Sequence, residues 1–254
     1  MRTFVASAAL AAALTLPVAP AQAAGESVPL LSHDWSFDGI FGSYDRASLQ
    51  RGLQVFRESC SACHGMKYVA FRTLTDLGYT EEEVRAIAAE YFIQDGPDDT
   101  GAMFERPGIP SDMYPNPWAN EAEAAMIHGK APPDLSLMAK ARLGGPTYIY
   151  SLLQGYADPS EHDDLLPGNY WNEFYPGHII AMAQPLYPDQ VVYTDGTQAT
   201  LPQMAADVSN FLMWAAEPKL EERKDLGIKV MLFCTVMAGV FYAMNRRIWG
   251  KVKK

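Results

Sequence analysis

Cysteine is scarce in this chain: there are three, Cys60, Cys63 and Cys234. No even set of disulfides can be built from them, and no second cysteine pair exists to complete a four-ligand zinc site. Cys234 stands alone in an apolar stretch, where a free thiol acts as a small hydrophobe and is expected to pack and remain inert. Acidic residues are missing from both ends. All 30 lie between residues 25 and 228 with only 13 of the 20 basic ones, whereas the tail after Ile228 has six basic residues and no acidic one. So acidic a middle offers no footprint for nucleic acid, and none is expected as a partner. It serves either as a solubility surface or as a dock for a basic protein, with Glu81-Glu82-Glu83, Asp95 to Asp99 and Glu161 to Asp164 as candidate clusters.

The two ends read as targeting and anchoring segments. Residues 1–23 combine a basic start at Arg2, an apolar run from Phe4 to Val18 and a small-residue exit at Ala21-Gln22-Ala23, the pattern of a cleaved secretory signal peptide. The run is short for a membrane span and is broken at Pro17 and Pro20, which disfavours an N-terminal anchor. At the other end, residues 226–245 are apolar apart from Lys229 and Asn245. Nineteen residues of helix from Leu226 reach about 28 Å, close to the hydrocarbon thickness of a bilayer. Arg246, Arg247, Lys251, Lys253 and Lys254 follow at once. The positive-inside rule then predicts a single-pass protein with a basic cytoplasmic tail at 246–254 and the acidic domain, residues 24–225, in the periplasm of a bacterium.

Within that domain, SYDRASLQRGLQVFRESC at 43–60 spaces Leu49, Leu53, Val55 and Phe56 as a helix. Gly52 inside it implies close approach of another backbone, since a glycine in an exposed helix would simply cost about 1 kcal/mol. Residues 201–215, with Met204, Val208, Phe211, Leu212 and Trp214 on an apolar side, supply the expected partner helix. Between them the chain is rich in Pro, Gly and Tyr, with short helices predicted near 80–91 and 119–128. Long irregular segments with this aromatic content fit loops wrapped around a large flat cofactor.

The chemistry centres on Cys60-Ser61-Ala62-Cys63-His64, the C-x-x-C-H signature of covalent haem c attachment. One helical turn separates the thiols, so that each can add across one vinyl group, and the adjacent His64 falls beneath the iron. A thioredoxin-type redox pair needs no following His and sits in a βαβ context absent here. The sixth ligand is less determined. Met66 is too close to the proximal residue, and Met204 and Met213 fall on a helix face that reads as core. Met182, in a Pro-bracketed loop far along the chain, and His178 remain in competition. His33, His128 and His162 look like surface or loop residues. No carboxylate pair or nucleophile–base set surrounds the motif, so the iron reads as a transfer centre rather than as a site for bond-making catalysis.

The strings RGLQVFRESCSACHGMKYVAFR at 51–72, QDGPDDTGAMFERPG at 94–108, APPDLS at 131–136, ARLGGPTYIYSLLQGY at 141–156, PGHIIAMAQPLY at 176–187 and DGTQATLPQMAADVSNFLMWAAEP at 195–218 together resemble the cytochrome c1 family. That family forms the haem subunit of the quinol–cytochrome c oxidoreductase (cytochrome bc1) complex. The resemblance implies a mainly α, class I cytochrome c-like haem domain with long loop insertions plus one C-terminal transmembrane helix. It implies one covalent haem c, with Met182 as the axial methionine and Arg142 looking toward a haem propionate. The implied partners are cytochrome b, the Rieske iron–sulfur subunit as electron donor and a soluble or membrane-tethered cytochrome c as acceptor. A free-standing membrane-anchored electron shuttle is the alternative.

Overall fold

A computed structural model describes residues 28–158 and 165–250. The segment expected to be a signal peptide, the acidic cluster at Glu161 to Asp164 with His162, and the last three lysines lie outside the described residues.

Helix α1, Arg46–Val55, begins where the Asp45 carboxylate accepts the Ala47 N–H and satisfies one of the first-turn donors. Its Leu49, Leu53 and Val55 are buried. The chain then widens into a π turn, Phe56–Cys60, closed by Ser61 N–H donating to Phe56 O at 2.8 Å. Strand β1, Met66–Ala70, leads into a 3₁₀ segment at Phe71–Leu77. Helix α2, Glu81–Ala89, starts with a capping box in which Thr80 and Glu83 satisfy each other's backbone N–H groups. Next come β2 (Phe92–Asp95), β3 (Phe104–Pro107) and β4 (Met113–Tyr114), then α3 (Glu121–His128), α4 (Met138–Ala141) and α5 (Pro146–Gln154). Strands β5 (Tyr170–Trp171) and β6 (Ile179–Ile180) precede α6 (Leu201–Ala216) and the long α7 (Leu220–Trp249). The strands form three two-stranded antiparallel ladders, β1 with β4, β2 with β3 and β5 with β6. The fold is helix-rich, and the loop-rich middle carries short hairpins that sequence periodicity did not mark.

The core is organised on the pairing of α1 with α6, to which α5 adds a third helix. Close contact is made at Gly52: a Cβ there would overlap the Asp207 carbonyl oxygen and lie 2.6 Å from Phe211 Cβ. The glycine thus permits the backbone approach that its position in the sequence implies. Beside it, Arg51 grips the buried Asp207 with both Nε, at 2.9 Å, and Nη2, at 3.1 Å, and reaches Asp195 through Nη1 at 2.9 Å. Ser48 Oγ and Gln203 Nε2 donate to the same Asp207 carboxylate at 2.8 and 3.0 Å. A buried carboxylate is tolerated only with this degree of pairing. Around this seam, Leu49, Leu53, Phe56, Met204, Val208, Phe211 and Trp214 lie in one buried cluster with Met66, Phe71, Leu74 and Tyr114.

Helix α7 is longer than its apolar stretch. Its first turns pack on the domain, with Leu220 buried and Glu221 bridging to Arg46. From Leu226 onward most of its large side chains are exposed, and an 18-residue window has mean hydropathy 1.9 with none of it buried. Among the described residues this is the one helix long and apolar enough to cross a membrane. Cys234 is exposed on this apolar stretch.

Candidate haem site

The π turn hands the chain directly to the cysteine motif. Cys60 O accepts both the Cys63 N–H at 3.1 Å and the His64 N–H at 2.9 Å. One helical turn therefore spans the motif and sets Cys60, Cys63 and His64, at i, i+3 and i+4, on one face. Burial pushes the Cys60 thiol up to about 12, with the neighbouring Cys63 adding to the shift. Before attachment this sulfur is a neutral thiol.

His64 is fixed by a contact the sequence did not reveal. Its Nδ1 lies 2.7 Å from Pro133 O. Because a carbonyl only accepts, Nδ1 carries the proton and Nε2 keeps its lone pair for a metal. Burial lowers the His64 pKa, which favours that neutral, ligating form. The segment around Pro133 is itself held in place: Leu135 N–H donates to Gly65 O at 2.9 Å, and Asp134 Oδ2 accepts the Lys67 N–H at 2.8 Å. On the other side of the motif, Trp118 Nε1 donates to Cys63 O at 3.1 Å, and the Trp118 ring meets the His128 ring edge-on at 4.9 Å.

The Met182 loop has its own supports. Asn172, fully buried, donates from Nδ2 to Leu152 O at 2.7 Å and accepts the Phe174 N–H at 3.0 Å, tying the β5–β6 hairpin to α5. Tyr156 OH donates to Met182 O at 3.1 Å. Burial raises the pKa of this hydroxyl far above the ordinary tyrosine value, so it remains a donor throughout the physiological range. The Met182 loop and the 127–130 segment face one another across an open cavity of about 570 Å³, lined by Ile127, His128, Tyr170, Ala181 and Ala183 among others. Arg142 is exposed in the connection between α4 and α5 and lies within electrostatic reach of Tyr148.

The other candidates are occupied elsewhere. Met66 and Met204 are fully buried in the core. His178 sits in the left-handed region, at φ 61°, with its ring stacked on Trp171 at 4.8 Å and its Nδ1 3.3 Å from Asn172 O. It caps the hairpin. The reading of His128 as a surface or loop residue is corrected: it ends α3, and its Nε2 is buried with no hydrogen-bond partner. Two thiols and an imidazole with its metal-binding nitrogen left free, all on one face of a single turn, form a donor set that fits a covalently held haem, and an orphaned buried nitrogen of His128 lies beside the cavity nearby.

The sequence profile of the Cytochrome C1 family matches residues 35–252. The chain belongs to the cytochrome c1 family. Cytochrome c1 of Rhodospirillum rubrum is 48% identical over the whole of both chains. A mitochondrial cytochrome c1 heme protein of Arabidopsis thaliana is 45% identical over 93% of this chain and 77% of its own. A Bradyrhizobium diazoefficiens protein named "Cytochrome b/c1" is 44% identical over 85% of this chain, which spans only 35% of that relative. Membership of the cytochrome c1 family makes this a covalently haem-bound electron-transfer subunit of the bc1 complex, anchored in the membrane. Trp118, Pro133 and Tyr156 were invisible as site residues in the sequence, because each acts through one hydrogen bond across a fold that periodicity does not encode.

Proposed function

We propose that this chain takes single electrons from the Rieske iron–sulfur subunit and passes them to a soluble or tethered cytochrome c, through one haem attached at Cys60 and Cys63 and ligated by His64 and Met182. The carrying observation is the one-sided Cys60-Cys63-His64 turn with the His64 tautomer preset by Pro133 O, and the Met182 backbone held by Tyr156 supports the choice of distal ligand. When bound, the haem supplies a one-electron couple, and His/Met ligation favours a high potential suited to a Rieske donor, whose own potential reaches about +300 mV. The protein's part is to hold the couple in place. Pro133 O fixes the His64 tautomer, Trp118 clamps the Cys63 carbonyl, and Tyr156 fixes the Met182 backbone on the other side. We read the domain as a class I cytochrome c-like fold with inserted hairpins, and Arg142 as a partner for a propionate.

The apolar stretch of α7 with its basic end supports a haem domain outside the membrane and a C-terminus in the cytoplasm. Cytochrome b as a neighbour is supported by the name of the Bradyrhizobium relative. The acidic surface suits a basic acceptor, although much of it has local work. Asp95 pairs with Arg106, Asp98 closes its own turn through Thr100 and Ala102, and Glu83 caps α2. Those contacts lower the pKa of each carboxylate, so the charge persists well below neutral pH. The test is purification of the membrane-embedded protein in mild detergent. Co-elution with a b-type cytochrome and a Rieske protein, and reduction by quinol that stops when the Rieske subunit is removed, is the expected result. A c-type haem protein that elutes alone and is reduced regardless would establish the shuttle instead.

A further inference from the structure

The segment Trp35–Tyr44 forms a closed loop beside the start of α7. Ser43 N–H donates to Ser36 O at 3.1 Å and Asp38 N–H to Trp35 O at 3.0 Å, leaving Asp38, Gly39, Ile40 and Phe41 as the tip. Gly39, at φ +71°, makes the turn. Ile40 is 67% exposed and Phe41 86%. Single exposed apolar residues are ordinary, but two side by side on a tight tip, in a domain with this much acid, require a reason.

The loop's attachments to α7 give its direction. Tyr44 N–H donates to Glu221 Oε1 at 2.7 Å, and Arg46 pairs with the same carboxylate. Three residues further along α7, Lys224 Nζ donates to the carbonyls of Phe37 and Gly42. Moving from Tyr44 back to Gly42 therefore descends roughly 4.5 Å along the helix axis, toward the apolar stretch that begins at Leu226. The tip continues past Gly42. The headgroup layer on each side of a bilayer is roughly 5–8 Å thick, so a loop held at Lys224, about 3 Å above Leu226, lies within it.

We propose that Ile40 and Phe41 form a second membrane contact, inserting into the outer headgroup layer beside the point where α7 enters the bilayer. The occupant is lipid, because the loop is continuous with the helix that carries the chain into it. Asp38 is exposed at the start of the tip, and its charge limits the depth to the headgroup layer. Aromatic and aliphatic side chains at that level anchor a domain against rocking. Together with α7, this contact gives the haem domain a fixed height and tilt over the membrane, which a site that must meet donor and acceptor on the same side requires. The inference rests on the reading of α7 as a membrane span.

The test is site-directed spin labelling in the intact membrane-embedded complex, with collision by oxygen, enriched in lipid, compared with collision by a water-soluble nickel chelate. Label on the native Cys234, exposed on α7, reports whether α7 lies in lipid. In a Cys234→Ser background, label at Phe41→Cys and separately at Ile40→Cys reports the tip. Label at Val192→Cys, 82% exposed and held by Gln54 near the other end of α1, reports water. The expected oxygen-to-nickel ratio at 40 and 41 is several-fold higher than at 192 and lower than at 234. A ratio at both tip positions equal to that at 192 overturns the proposal. Low accessibility to both reagents also overturns it, because another subunit then covers the tip. A water-like ratio at Cys234 would refute the membrane reading of α7 itself, a separate failure.

Discussion

Replacing Gly52 with alanine probes the seam on which the haem domain is built. The added Cβ would overlap the Asp207 carbonyl oxygen and stand 2.6 Å from Phe211 Cβ and 2.7 Å from the Asp207 carbonyl carbon. Ordinary carbon–carbon contact is at about 3.5–4.0 Å, so α1 and α6 must separate by roughly 1 Å. Neither neighbour can yield as a flexible side chain could, because one is backbone and the other is a Cβ. Such overpacking costs about 1–3 kcal/mol, and the move also stretches the Arg51 grip on Asp207. Alanine returns at most about 1 kcal/mol through helix propensity. The net expectation is a loss of about 1–2 kcal/mol, which in a domain of this size lowers the melting temperature by about 2–8 °C. Thermal unfolding of the detergent-solubilised protein, followed by circular dichroism and by the haem absorbance, measures it. Gly239→Ala, on α7 with nothing within 4 Å of the added carbon, is the control and should change little. A Gly52→Ala protein as stable as wild type would show that the helices do not meet as described.

Three further outcomes follow from the site and its supports. Asp195 is held down at about 2, from an ordinary 3.8, by the Thr197 N–H first and by Arg51. Its folded pKa lies below the unfolded one, so its contribution is complete above about pH 3.8 and fades as pH falls toward 2. Asp195→Asn should therefore flatten the acid limb of the stability curve in that window, and an unchanged limb would contradict the assignment. Tyr156→Phe removes the donor to Met182 O while keeping the ring. The sixth ligand should exchange more readily, read as faster and tighter binding of imidazole to the oxidised haem, and wild-type binding would refute the positioning role. If the acceptor docks electrostatically, transfer to an added soluble cytochrome c should slow as ionic strength rises, since the Debye length shrinks from about 30 Å at 0.01 M to about 8 Å at 0.15 M. A salt-independent bimolecular rate would remove the acidic surface from the account.

Much of this architecture was legible from short-range patterns. The 3.6-residue spacing of Leu49, Leu53 and Phe56 and of Met204, Val208 and Phe211 marked α1 and α6, and the lone glycine between Arg51 and Leu53 marked their contact. The apolar stretch of α7 could be read from length and composition alone, but its polar first turns could not, because Glu221 and Lys224 belong to the domain rather than the membrane. Helix α5 was missed: its sequence, PTYIYSLLQ, is apolar on several faces and rich in tyrosine and isoleucine, so periodicity did not distinguish it from strand or loop. The covalent half of the site is a contiguous string and was readable at once. Its supports are not contiguous. Pro133 is 69 residues from His64 and Trp118 is 55 from Cys63, and contacts at that separation are set by the fold. The choice between Met182 and His178 stayed open in the residues themselves for the same reason, since the two lie close together in sequence on either side of β6.

The central claim is that Met182 is the sixth ligand of a His-ligated, covalently attached haem tuned to accept electrons from a Rieske centre. The direct measurement is a redox titration of Met182→Leu and His178→Ala side by side, in membranes, with covalent haem staining to establish that both are loaded. Loss of the thioether should leave the haem attached and lower the midpoint potential steeply. At 59 mV per tenfold in a one-electron equilibrium, a fall of roughly 200 mV disfavours reduction by more than a thousandfold and stops quinol oxidation through this chain. His178→Ala should keep its potential, because that ring stacks on Trp171 and serves the hairpin. A Met182→Leu protein that keeps the wild-type potential while His178→Ala loses it would contradict the account.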